Sequence, residues 1–255
     1  MSTIQEPIPQ VMKAEEAYDQ IAPLYDERPW SKFWMKHELP IIKDKLTHQR
    51  FTRFLDAGCG TSPYLSILNK HIKEYYGLDI SEGMLEEAIR KYSNINLSSQ
   101  ASWSKASLTE IPFEDNYFSA ILCTRVLSHF TDWKQVLVEF YRTLEPGGLC
   151  LITDIHPEHH YEMTGFRTFK RKIYVETFKH ENFINTVESF KKMPEFFIHI
   201  EEKSFIIKDF QEFSMRNIIQ DRYDDQLKEL YTELDDLYLY QHDKIFYFML
   251  IQKPY

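Results

Sequence analysis

Asp56, Gly58 and Gly60, followed by Asp79 about 20 positions further on, are the residues of this chain whose types and spacing could do chemistry together. The two glycines lack Cβ, so the loop that carries them can take positive φ and let its backbone approach a ligand closely. A helix expected over Pro63 to His71 would offer free N–H groups and the positive end of its dipole to an anionic group. Asp56 stands where it could accept hydrogen bonds from loop amides or from a cationic group on the ligand. Asp79, ending a second strand that runs from Tyr75 to Ser81, is spaced to reach a ribose diol. The ligand should therefore contain a ribose.

These residues need a strand, a turn and a helix to hold them. Phe51 to Asp56 reads as the strand, and Ala57-Gly58-Cys59-Gly60-Thr61-Ser62 as a small-residue turn. Two ribose-containing ligands fit, a dinucleotide and S-adenosylmethionine. The dinucleotide fingerprint wants a third glycine where Pro63 stands, which counts against it. Leu55 to Thr61 resembles the first motif of the class I S-adenosylmethionine-dependent methyltransferases, and Gly77 to Ser81 followed by Met84 and Leu85 resembles their second. Ile111 to Phe118 is similar to the turn leading into their fourth strand. Leu144-Glu145-Pro146-Gly147-Gly148 is similar to the turn before their fifth. The four motifs fall in order across roughly residues 50 to 154.

The resemblance implies an α/β fold, a doubly wound seven-stranded, mostly parallel sheet with a Rossmann-like topology. It implies four parts: an N-terminal arm with cleft-closing helices (1–48), a cofactor-binding core (49–154), a substrate lid after the fifth strand (155–200), and C-terminal strands with a helix that complete the sheet (201–255). Strands are expected near Ser102 to Ala106, over Tyr117 to Thr124, Gly148 to Asp154, Lys203 to Phe210 and Ile245 to Ile251, the last antiparallel. Helices are expected over Lys13 to Glu27, from Trp30 to about Leu46, over Glu82 to Tyr92 with Ser81 as its cap, after Thr131 as the cap of a Trp133 to Leu144 stripe, and near Asp221 to Tyr240. The buried face of the Glu82 helix is expected to be Met84, Leu85, Ala88 and Ile89.

By the same resemblance, S-adenosylmethionine is the cofactor, and Tyr18, Asp56, Gly58, Cys59, Gly60, Asp79, Ile80, Met84, Ser107, Leu108 and Thr124 are its candidate contacts. Ser107 departs from the family, which often has Asp there for the adenine amino group. Tyr18-Asp19-Gln20-Ile21-Ala22-Pro23-Leu24-Tyr25-Asp26 is similar to a segment that closes over the cofactor in small-molecule members. Tyr25, Trp30, Arg125, His129, His156, Phe166, Tyr174 and His180 are the candidate substrate contacts. The region 155–200 is rich in aromatic residues, which supply apolar walls and cation-binding faces for a small organic acceptor.

The reaction expected is methyl transfer to O or N of a small molecule or short peptide. His156, His180 and His129 are the candidate catalytic residues, since a histidine of ordinary pKa, about 6.5, can take a proton at neutral pH. Other readings are a methyltransferase-like protein that binds cofactor but acts as a regulator or partner, and an NAD(P)-dependent oxidoreductase. A hydrolase lacks its Gly-x-Ser-x-Gly elbow, and His156, His159 and His160 match no zinc-protease spacing, so no metal is expected. A net charge of −9 disfavours a nucleic-acid substrate. No run of about 18 apolar residues suggests a membrane span. Cys59, Cys123 and Cys150 read as buried thiols of a reducing cytoplasm. No oligomeric state is implied.

Overall fold

A computed structural model describes residues 13–156, 193–214 and 244–255 of the chain. The strands are β1 (Phe51–Ala57), β2 (Ile72–Asp79), β3 (Gln100–Lys105), β4 (Phe118–Thr124), β5 (Leu144–Ile155), β6 (Ile206–Ser214) and β7 (Lys244–Gln252). They form one seven-stranded sheet in the order β3-β2-β1-β4-β5-β7-β6. β1 to β5 pair in parallel, and β7 runs antiparallel to both β5 and β6. From β1 the chain builds outward to β3 and then returns to the other side of β1 with β4. The strand order therefore reverses between β1 and β4, and it is beyond the carboxyl ends of strands at such a reversal that open α/β sheets bind ligands.

The helices are α1 (Ala14–Ile21), α2 (Pro29–Leu46), α3 (Leu65–Leu68), α4 (Glu82–Tyr92), α5 (Trp133–Thr143) and α6 (Met193–Glu202). Successive side chains of a strand point to opposite faces, and β1 is buried on both. Leu55 and Ala57 pack with Trp133, Val136, Leu137 and Phe140 of α5 and with Phe196 and Ile200 of α6. On the opposite face Phe54 packs with Ile42 and Leu46 of α2, Leu65 and Leu68 of α3, and Tyr92 of α4. The five β-side parallel strands thus receive a helical layer on each face, as expected of a doubly wound sheet.

Several expected elements differ in detail. The helix expected over Pro63 to His71 is a single turn, α3, continued by a 3-10 turn at Asn69–His71. Ser62, just before it, takes φ 53°, and β2 begins already at Ile72. Thr131 does not cap α5. Asp132 holds the cap position, without a side-chain bond to the helix. Ile89 is 48% exposed and lies off the buried face of α4. The sixth strand begins at Ile206, three residues after the expected Lys203, because α6 extends to Glu202 and a turn with Ser204 at φ 64° intervenes. The helix expected near Asp221 to Tyr240, the arm before Lys13 and most of the expected lid lie outside the described residues.

Candidate functional site

The glycine loop leaves β1 at the reversal point. Gly58 takes φ 72°, and a Cβ there would collide with Val126, so both its backbone and its surroundings demand glycine. Gly60 takes φ 50°, but a Cβ built on it meets nothing within 4 Å, so its outer face looks onto open space. The amides of Gly58 and Cys59 are held by the Leu78 carbonyl at 2.8 and 2.9 Å. The Gly60 amide goes to Asp79 Oδ2 at 2.8 Å, and Asp79 Oδ1 accepts from the Ser81 amide at 2.9 Å.

Asp56 therefore does not hold the loop amide, contrary to one of its two expected roles. Register puts Asp56 opposite Gly77, one residue short of the loop, and its side chain drops beneath it. There it is 2% exposed and accepts the Tyr75 hydroxyl at 2.6 Å. Burial pushes its pKa up to about 7, and burial likewise raises Asp79. Burial also pushes the Cys59 thiol up, so it is a packed thiol and not a thiolate.

Around this loop the other expected residues fall as follows. Ser81 caps α4 by accepting from the Met84 amide at 3.1 Å, as expected. Ile80 is 40% exposed beside Asp79. Met84 is buried against Ile21 and Ala22, flanked by Tyr18 and Tyr25. Ser107 is engaged in a local turn with Thr109, and Leu108 is buried in the core. Thr124 is buried at the end of β4.

The N-terminal segment lies across these ends. Asp19 Oδ1 accepts from Ser81 Oγ at 2.6 Å and from the Gly83 amide at 3.0 Å, the first of which holds its carboxyl below the usual range. Asp26 accepts from Thr61 Oγ1 at 2.6 Å and pairs with Lys91 of α4. A Cβ on Gly83 would stand 3.2 Å from the backbone of Asp19, so α1 approaches α4 this closely because residue 83 is glycine. Tyr18 OH lies 2.9 Å from His129 Nε2, with the rings edge-on.

Arg125 follows Thr124 with φ 57° and donates Nε to both oxygens of Glu38, at 3.2 and 3.1 Å, and Nη1 to Tyr25 OH at 3.2 Å. Glu38 is 0% exposed and also accepts from Thr153 Oγ1 at 2.6 Å and from Tyr64 OH. The sequence reading missed Glu38. The signal was present, since buried positions in α2 recur at Trp34, Glu38, Ile42 and Leu46, which puts a carboxylate on an otherwise apolar stripe. Glu212 was missed as well. Buried His156 places Nε2 2.8 Å from Glu212 Oε1, and Lys244 donates to Glu212 Oε2 at 2.6 Å. Phe166, Tyr174 and His180 lie outside the described residues, and nothing is described of the Trp30 side chain.

Comparison with known proteins agrees with this geometry. Residues 55–152 match the family model described as a methyltransferase domain. A demethylmenaquinone methyltransferase of Bacteroides fragilis is 27% identical over 176 residues, covering 65% of this chain and 69% of the relative. The curated relatives that the chain matches are spanned to different extents, from 25% to about 70% of their length. Among solved structures, the [4+2]-cyclase SpnF aligns with a TM-score of 0.66 at 18% identity, over 97% of this chain and 98% of that one. Phosphoethanolamine N-methyltransferase 2 of Haemonchus contortus, in complex with S-adenosylmethionine, aligns with a TM-score of 0.62 at 17% identity, over 93% and 60%. Residues 55–152 thus match a methyltransferase domain, in agreement with the resemblance to the class I S-adenosylmethionine-dependent methyltransferases that the sequence motifs carry.

Proposed function

We propose that this chain transfers the methyl group of S-adenosylmethionine to an oxygen or nitrogen of a small molecule or short peptide, in the crevice above Gly60. The observation that carries the reading is the loop itself: Gly60 faces open space while Asp79 grips its amide and ends β2 beside the exposed Ile80. In this reading Asp79 takes the ribose diol, and the backbone of Gly58, Cys59 and Gly60 lines the methionine end over Asp56. Ile80 covers the adenine, with Met84, Ser107 and Leu108 around it, while Thr124 and Tyr18 bound the cleft.

When bound, the cofactor supplies an electrophilic sulfonium methyl. The chain's own task is to hold the acceptor lone pair in line with that methyl and to keep water out. In this reading Tyr25, Trp30, Arg125, Phe166 and Tyr174 are the candidate acceptor contacts. His129, beside Tyr18, and His156, which is buried with Nε2 held by Glu212, are in the same reading the candidates to take a proton or orient the acceptor, together with His180. A second reading, a quinone-type acceptor, is favoured by the demethylmenaquinone relative. The SpnF likeness is a reminder that this fold also carries other chemistry, so the fold by itself does not argue for methyl transfer.

Calorimetric titration with S-adenosylmethionine, S-adenosylhomocysteine and NADH tests the reading. Binding of both adenosyl ligands that is lost in Asp79→Ala supports it and justifies an acceptor screen against His129, His156 and His180 variants. A clear preference for NADH overturns it.

A further inference from the structure

Among the described residues, the carboxylates under the glycine loop have no cation of the protein's own. Asp56 is faced by Tyr75 and Asp79 of β2, Cys59 of the loop, Tyr92 of α4 and Cys123 of β4, all of them neutral or acidic groups. Among the described residues, neither Asp56 nor Asp79 forms an ion pair with a lysine, arginine or histidine. An isolated buried carboxylate is costly, and it escapes the cost by taking a proton or by meeting a positive charge.

The hydrogen-bond geometry can host either outcome. The Tyr75 hydroxyl lies 2.6 Å from Asp56 Oδ2 and 2.9 Å from Ser62 Oγ, which in turn accepts from Trp103 Nε1 at 2.8 Å. With Asp56 ionised, Tyr75 donates to the carboxylate. With Asp56 protonated, the acid donates to the tyrosine oxygen, and Tyr75 turns its own proton to Ser62. The short chain of hydroxyls thus reverses direction with a rotation about the Tyr75 C–O bond and needs no change of packing.

We infer that Asp56 carries a proton in the free protein and releases it to solvent when the ammonium-bearing methionine end of the cofactor settles on the glycine loop, so that cofactor binding is linked to proton release. The inference rests on the assignment of this crevice to S-adenosylmethionine, and it adds a pH dependence to that site. Cofactor affinity then rises with pH until Asp56 is ionised in the free protein, and is flat above that point. Burial, which pushes Asp56 up to about 7, puts the change in the neutral range.

The test is calorimetry of the full chain with S-adenosylhomocysteine at pH 7, in phosphate and in Tris, whose ionisation enthalpies differ, followed by affinity between pH 6 and 8. Expected are release of about half a proton per ligand at pH 7 and about a tenfold gain in affinity from pH 6 to 8. Asp56→Asn should bind without that release and with a flatter profile. Titration of the ligand's own ammonium persists in this variant and so subtracts out. Tyr75→Phe removes the hydroxyl that donates to ionised Asp56, and should move the midpoint of the profile to higher pH even if the Asn variant fails to fold. Equal proton release by wild type and Asp56→Asn, or a midpoint unmoved in Tyr75→Phe, overturns the linkage while leaving the cofactor site intact. Failure of the wild type to bind at any pH overturns the cofactor assignment and the linkage with it.

Discussion

Two buried carboxylate clusters sit along the carboxyl edge of the sheet, and the chain treats them in opposite ways. Glu38, against β4 and β5, is closed on all sides by Arg125, Tyr64 and Thr153. Asp56 and Asp79, at β1 and β2, receive hydroxyl and amide donors but no protein cation among the described residues. A carboxylate with a resident arginine is a fastening, whereas one without is a place where a positive ligand gains by arriving. The two clusters are only a few strands apart.

The comparison can be broken at its fastened side first. Arg125→Met leaves Glu38 buried without its cation, and urea unfolding should show a loss of about 3–5 kcal/mol. A loss under about 1 kcal/mol would mean that Glu38 is not held by Arg125 in the way described.

The open side should respond to pH instead. Folded Asp56 holds its proton more tightly than unfolded Asp56, whose pKa is near 3.9. Between about pH 4 and 7 the folded state therefore binds the extra proton, and the unfolding free energy falls as pH rises across that window. Asp56→Asn should remove this fall, becoming more stable than wild type above pH 7 by on the order of 2–4 kcal/mol in the free protein. Parallel stability profiles for the two proteins would contradict the burial argument.

Asp79→Ala gives up the Gly60 amide and the proposed ribose contact together, and titration calorimetry should read a 30- to 100-fold weaker cofactor, about 2–3 kcal/mol. Gly83→Ala is the mildest change. Its Cβ presses on Asp19, so α1 must shift by a few tenths of an ångström. Limited proteolysis should cut within the α1 segment a few-fold faster, with stability altered by about 1 kcal/mol or less. Unchanged cleavage would show that α1 is not seated by this contact.

The sequence made the open cluster half legible. Spacing from the glycines located Asp79, because strand, turn and helix lengths in such a unit vary little. Of the two roles it left open for Asp56, the loop-amide one goes to Asp79 instead, because which acid reaches that amide depends on the register of β1 against β2. The fastened cluster was hardly legible. Arg125 was noticed, but Glu38 comes from 87 residues away, and its partners Tyr64 and Thr153 come from two further segments. Long-range pairing of this kind leaves no local pattern beyond a lone charge on an apolar stripe. The α3 region differs in another way: a single helical turn and a 3-10 turn stand where the apolar periodicity suits a longer helix.

The Glu38 cluster also bears on how the chain can be divided. The part that matches the methyltransferase family begins at residue 55, which invites treating everything before it as a detachable leader. Yet Glu38 is the acid that neutralises Arg125 and receives Thr153, so the matched part is electrically complete only with α2 attached. A truncation starting at residue 49 would expose the apolar floor left by Ile42 and Leu46 and leave the largely enclosed Arg125 guanidinium without its acid. The smallest autonomous unit therefore reaches back at least to the start of α2, and a shuffling experiment that swaps N-terminal segments between relatives must move residues 38 and 125 as a pair.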